Sequence, residues 1–197
     1  MIKSVPNKLH WNYFIALEHD LETVSRYVEF AKPNYDVYSI ELAHLLFAAA
    51  SEVDVIAKLL CEILDPSAPR ENITHYRNVL VAALPDLTTD KIFVPRYGLT
   101  LVPWDNWTNA NNANPLWWRS YNRVKHERDT HFAEATLKNA LNAMAALLLL
   151  NYHYYAYSLC STLGHRIPPK ETTRELQPQS TLLRLPDDYY DDVIIAD

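Results

Sequence analysis

The stretch DVYSIELAHLLFAAASEVDVIAKLLCEIL, Asp36 to Leu64, decides the fold. Its apolar residues Leu42, Leu46, Ala49, Val53, Ile56, Leu60 and Ile63 recur every three or four positions, so they share one face of a helix turning about 100° per residue. Asp65-Pro66 ends it, since the residue before a proline is pushed out of helical conformation. So long an apolar stripe needs partners, and the flanking sequence supplies them. Upstream, Phe14, Leu17, Leu21, Val24 and Val28 keep the same spacing and predict a first helix ending near Lys32-Pro33. Downstream, a shorter helix is predicted from Arg70 to Leu84, closed by Pro85. Further on, Leu137, Leu141, Met144, Leu148, Tyr152, Tyr155 and Leu159 form a seam that runs to Leu163-Gly164.

Composition agrees with helix. The chain has 197 residues, 49% of them hydrophobic, enough for one domain with its own core, with or without an appendage. Two glycines argue against a Rossmann turn, a phosphate-cradling loop or a sheet rich in tight hairpins. The expected class is all-α, an antiparallel bundle of four to five helices occupying residues 1–164. Residues 87–114 interrupt the helical period before the last long helix. Within them, Ile92 to Val102 carries β-branched and aromatic residues around Tyr97-Gly98, the pattern of a small hairpin or an extended excursion. Pro95 and Pro103 make it an edge at best. Trp104 and Trp107 lie in this segment and Trp117 and Trp118 just beyond it, all read as core or interface packing, with an Asn-rich tip from Thr108 to Asn114.

Pro115 then suits the first turn of a helix. Asp129-Thr130 can cap a restart, so one long helix and two stacked ones both fit the sequence downstream. Residues 165–197 read as a Pro-containing acidic tail. Leu182, Leu183, Leu185, Val193, Ile194 and Ile195 give it apolar handles for docking on its own body or on a partner.

The formal charge is -6, and Asp187, Asp188, Asp191, Asp192 and Asp197 near the C-terminus supply five of the negatives. No global basic field exists to hold nucleic acid, so such binding needs a local patch. One is present: Trp117-Trp118-Arg119-Ser120-Tyr121-Asn122-Arg123-Val124-Lys125-His126-Glu127-Arg128. Arg119 and His126, seven apart, fall about 20° from each other around a helix, with Asn122 and Arg123 between them on the same stripe. Arginine presents a fixed fork of donors to phosphate oxygens, and histidine exchanges protons near neutrality.

Cys61 and Cys160 are isolated on apolar helices and read as buried free thiols. His44 and His75 sit within helical segments, and His131 and His153 lie near apolar seams without acid or cysteine partners at metal spacing; all four read as structural, so no metal or cofactor is expected. The N-terminus MIKSVPNKLHW lacks the apolar stretch of a signal peptide, and the longest apolar run, Ala143 to Leu150, is too short to span a bilayer. A cytoplasmic protein without a membrane partner is expected.

A helical bundle with an arginine, four to six intervening residues and a histidine on one late helix resembles the HEPN superfamily, which includes RNA-cutting toxins and phage-defence effectors. Residues 10 to 163 carry the resemblance, and Tyr121-Asn122-Arg123-Val124-Lys125-His126-Glu127-Arg128 is its specific part. It implies metal-independent RNA cleavage, with the ribose 2′-hydroxyl attacking the adjacent phosphorus. His126 would serve as general acid or base, Arg119 would neutralise phosphate charge, and Asn122 would orient the imidazole or touch phosphate. Arg123, Lys125, Arg128 and Tyr121 would hold the strand, and Glu52 and Asp54 look like the acidic element placed opposite the Arg-His helix. A homodimer and a regulatory protein such as an antitoxin are the implied partners. A subgroup carries a modified tyrosine two residues after the histidine; Arg128 stands there in this chain, which disfavours that version. Two rivals remain: a catalytically silent bundle that binds RNA or protein through the same stripe, and an oligomeric interaction protein with no RNA activity.

Overall fold

In a computed structural model, residues 7–108 and 113–191 are described. Part of the Asn-rich tip, 109–112, and the terminal Asp192, Val193, Ile194, Ile195 and Asp197 lie outside them. The protein is mostly helical, with one small antiparallel hairpin. Among the described residues there are seven α-helices rather than four to five, because two short ones were not legible as separate periods.

Helix α1 spans Leu9–Val24 and α2 spans Ile40–Leu64. The apolar seam of α1 continues to Val28, but the helix stops at Val24, about two turns before the expected end near Lys32-Pro33. The chain turns at Ser25 and sends Phe30 into the core, where its ring lies 5.0 Å from that of Tyr97. Ser39 caps α2 by accepting the Leu42 N–H at 3.1 Å, satisfying a donor that the first turn leaves without an intrahelical partner. Helix α3, Ile73–Ala83, is capped in the same way by Asn72.

The hairpin pairs β1, Ile92–Val94, with β2, Leu99–Leu101. Gly98, at φ 60°, closes the turn in the left-handed region that glycine enters without steric penalty. Helix α4 then spans Leu116–His126, and α5 is a single turn, Arg128–His131. The restart capped by Asp129-Thr130 does not occur. Thr136 instead caps the last long helix, α6, Leu137–Leu163, by accepting the Asn139 N–H at 3.2 Å. Gly164 ends α6 at φ 75°.

Helices α2 and α6 form the central pair, with α1, α3 and α4 packed around them. The run from Ala143 to Leu150 is buried throughout, consistent with a helix enclosed on all sides. Among the described residues, no helix is long and apolar enough to cross a membrane.

The C-terminal segment uses its apolar handles on the chain's own body. Helix α7, Pro169–Glu175, packs on α6, and Leu176, Leu182, Leu183 and Leu185 enter the main core. Arg184 exchanges two backbone hydrogen bonds of 2.8 Å with Phe93, so the segment covers an edge of β1. Glu18 of α1, buried to 3% exposure, accepts the backbone N–H groups of Thr181, Leu182 and Leu183 and the Ser180 hydroxyl. A carboxylate removed from water needs such donors.

Candidate nucleic-acid interface

Aromatic rings hold α4 in place. Trp104 packs on Trp107 and Trp117, Trp117 on Trp118, Trp118 on Tyr121, and Tyr121 on Phe47 of α2, with ring centroids 4.3 to 6.1 Å apart. All four tryptophans are buried, so their role here is packing. The Trp117 indole donates to the Pro103 carbonyl at 2.8 Å, and the Asn106 side chain accepts the Leu116 N–H at 3.1 Å, tying the first turn of α4 to the excursion. At the other end, Ala43, Val124 and Ala135 form a small cluster that brings α4 close to α2.

This leaves one face of α4 outward. Trp117, Trp118, Ser120, Tyr121 and Val124 are buried, whereas Arg119, Arg123, Lys125 and His126 are exposed, as the helical period requires. Arg119 and His126 share the outer stripe, about 10 Å apart along the axis at 1.5 Å per residue. Their side chains make no hydrogen bond or ion pair among the described residues.

The remaining candidate residues have partners. Asn122 donates its amide to the Trp118 carbonyl at 2.9 Å, one turn back, and does not orient His126. Lys125 lies over the Tyr121 ring at 5.3 Å and donates to its hydroxyl at 3.3 Å. The Tyr121 ring is packed against Phe47 and Trp118 at 8% exposure, so its face is not offered for stacking. Arg128, just beyond α4, stacks over Phe47 at 5.2 Å. Arg123, Lys125 and His126 in the last turn also complement the negative end of the helix dipole.

Glu52 and Asp54 face away from α4. Helix α4 meets α2 around Ala43 and Phe47, whereas Glu52 bonds His10 of α1 at 2.5 Å. Asp54 takes Lys58 at 2.5 Å and the Tyr76 hydroxyl of α3 at 2.8 Å. Losing contact with water and donating to Asp54 push the Tyr76 phenol far above its ordinary range.

The acid beside α4 is Glu134, which the sequence reading did not single out. Its Oε2 accepts from the Ser120 hydroxyl at 2.9 Å; its Oε1 accepts from Arg123 at 3.1 Å and meets His131 Nδ1 at 2.9 Å. Burial works to raise its pKa, but the bonds from Ser120, Arg123 and His131 outweigh that and leave it lowered. His131 therefore has two acidic neighbours, Glu134 at 2.9 Å and Glu127 at 3.4 Å, three and four residues away along the chain. The spacing His131-x-x-Glu134, within reach of one helical turn, was the available signal.

Among the described residues, no group of three or more His, Cys, Asp or Glu side chains is arranged to hold a metal ion. Among the described tail acids, Asp191 pairs with Arg174 at 2.5 Å and Asp187 with Arg184 at 3.3 Å within the tail, whereas Glu175 meets Lys8, just before α1, at 3.6 Å. No family model, no curated protein and no solved structure matches the chain.

Proposed function

We propose that this protein is a HEPN-like endoribonuclease, a toxin or phage-defence effector, that binds single-stranded RNA along the outer face of α4. Cleavage needs no metal. The ribose 2′-oxygen attacks the adjacent phosphorus, the bond to the 5′-oxygen breaks, and the products carry a 2′,3′-cyclic phosphate and a 5′-hydroxyl. His126 moves a proton in this reaction, and Arg119 neutralises charge building on the non-bridging oxygens. The observation that carries the reading is exposure without a side-chain partner: Arg119 and His126 stand on one stripe of an anchored helix, and neither side chain makes a hydrogen bond or ion pair among the described residues. Arg123, Lys125 and Arg128 flank them as strand-holding cations.

The axial gap between Arg119 and His126 favours a homodimer. Two α4 helices crossing antiparallel about a two-fold axis near Asn122 place position 119 of one copy beside position 126 of the other. A regulatory protein covering this face would restrain the activity. The test is incubation of wild type and His126→Ala with bulk cellular RNA in excess chelator. Fragments ending in cyclic phosphate are expected from wild type alone.

A specific observation favours a second reading. The Asn122 amide is turned to the Trp118 carbonyl, and among the described residues no carboxylate bonds His126 to position its ring. A catalytically silent member would use the same face to bind RNA or protein. It would bind with a salt-dependent affinity and leave the RNA intact in the same assay.

A further inference from the structure

Cleavage by 2′-hydroxyl attack requires two proton movements: one leaves the 2′-oxygen as its bond to phosphorus forms, and one reaches the 5′-oxygen as the bond there breaks. His126 of a single copy serves one of them. The geometry points to His131 as the second proton-transfer residue of the α4 face, with Glu134 as its positioning residue. This inference rests on the nuclease reading above.

Placement comes first. Glu127 breaks α4 at φ −137°, ψ 54°, and α5 then brings His131 within 2.9 Å of Glu134 Oε1. The same oxygen accepts from Arg123 at 3.1 Å, so the His131 ring nitrogen and the Arg123 guanidinium nitrogen are within about 6 Å of each other. Arg123 belongs to the outer stripe between Arg119 and His126. His131 therefore flanks the strand-holding cations of that face.

Orientation follows. A carboxylate on Nδ1 fixes both the plane of the imidazole and the nitrogen left for chemistry, the arrangement by which acids orient catalytic histidines. Glu134 is itself held by Ser120 and Arg123, so the ring has a rigid support on α4. The other nitrogen, Nε2, faces the Glu127 carboxylate at 3.4 Å. Glu127 is 68% exposed and can swing aside for a substrate. Among the described residues His126 has no comparable support, and a histidine held in advance loses less freedom on reaching the transition state.

The test is steady-state cleavage of a mixed-sequence single-stranded RNA in excess chelator by wild type, His131→Asn, His131→Ala, Glu134→Gln and the His131→Ala/Glu134→Gln double variant. Asparagine keeps a donor toward Glu134 while removing Nε2, which preserves the local fold; thermal melts check it. Both His131 variants are expected to lose about 100-fold or more in kcat with little change in KM. Glu134→Gln is expected to lose about 10-fold in wild type and nothing further in the His131→Ala background, because it acts through the ring. Added imidazole should restore part of the His131→Ala rate. Folded His131→Asn cutting at the wild-type rate, or changing KM alone, overturns the inference and leaves the nuclease reading standing. Wild type that binds this RNA without cutting it overturns both.

Discussion

Glu18 accepts the backbone N–H of Leu183 at 2.9 Å, joining residues 165 positions apart. The same carboxylate takes the N–H groups of Leu182 at 3.1 Å and Thr181 at 3.0 Å. One acid on α1 thus gathers three consecutive donors of the C-terminal segment. Hydrogen bonds to charged groups contribute about 1.5–3 kcal/mol each, and buried donors left unpaired add their own desolvation cost. Glu18→Ala should therefore destabilise the protein by about 3 kcal/mol or more, read from denaturant unfolding. Glu18→Gln, which keeps one acceptor, should cost less. Proteolysis after Gly164 should quicken in the alanine variant. A Glu18→Ala protein with wild-type stability would show that this docking contributes nothing.

Acid should weaken the α4–α5 junction through Glu134. Its pKa is lowered on folding, because the bonds from Ser120, Arg123 and His131 outweigh the opposing effect of burial. A carboxylate with a depressed folded pKa stabilises fully above its unfolded value, roughly 4.3, and that contribution disappears as pH falls through the folded value. Wild type should therefore exceed Glu134→Gln in stability at pH 7, and the gap should narrow as pH falls below the unfolded value of roughly 4.3 and through the lower folded value. A gap that stays constant down to pH 3 would contradict the hydrogen-bonded carboxylate.

The two thiols should react in a fixed order. Cys61 is enclosed on α2, and loss of contact with water raises its pKa to about 11 despite the opposing effect of Arg70. Cys160 is only partly buried near the end of α6. A thiol-specific chromogenic disulfide at pH 8 should label one site quickly, and Cys160→Ser should remove that phase. The second equivalent should appear only with unfolding, since the thiolate is the reacting species. Rapid labelling of Cys61 in the native protein would contradict its enclosure.

How far the sequence carried the fold follows from what each element depends on. Periodicity showed the long stripes of α2 and α6, and Asp65-Pro66 and Gly164 marked their ends, but it left open where α6 begins, which is set by the Thr136 cap. Tyr97-Gly98 marked the hairpin because only the glycine suits its turn. The early stop of α1 was hidden, since Val28 still fits the seam and the competing burial of Phe30 depends on Tyr97, far along the chain. Docking of the tail by Glu18 was also hidden, because its partners there are mostly backbone N–H groups, which every sequence offers. The outward stripe of α4 was legible from the wheel. Glu134 was not, because its three side-chain partners come together only when α5 folds back on α4.

Salt dependence should locate the RNA contact on α4. Neutralising a phosphate releases counterions, so log affinity falls linearly with log salt, by about 0.7 per phosphate contact for a single strand. Lys125→Ala and Arg128→Ala should each weaken binding of a single-stranded RNA and shallow that slope by about 0.7 where the residue contacts one phosphate. Arg128→Ala also removes the stacking on Phe47 and should cost a few tenths to about 1 kcal/mol of stability, so its binding should be measured well below its melting range. Arg96 supplies the control. It pairs with Glu22 at 3.3 Å beside α1, so Arg96→Ala should leave the slope unchanged. Equal slopes for wild type, Lys125→Ala and Arg128→Ala would place any RNA contact on another face of the protein.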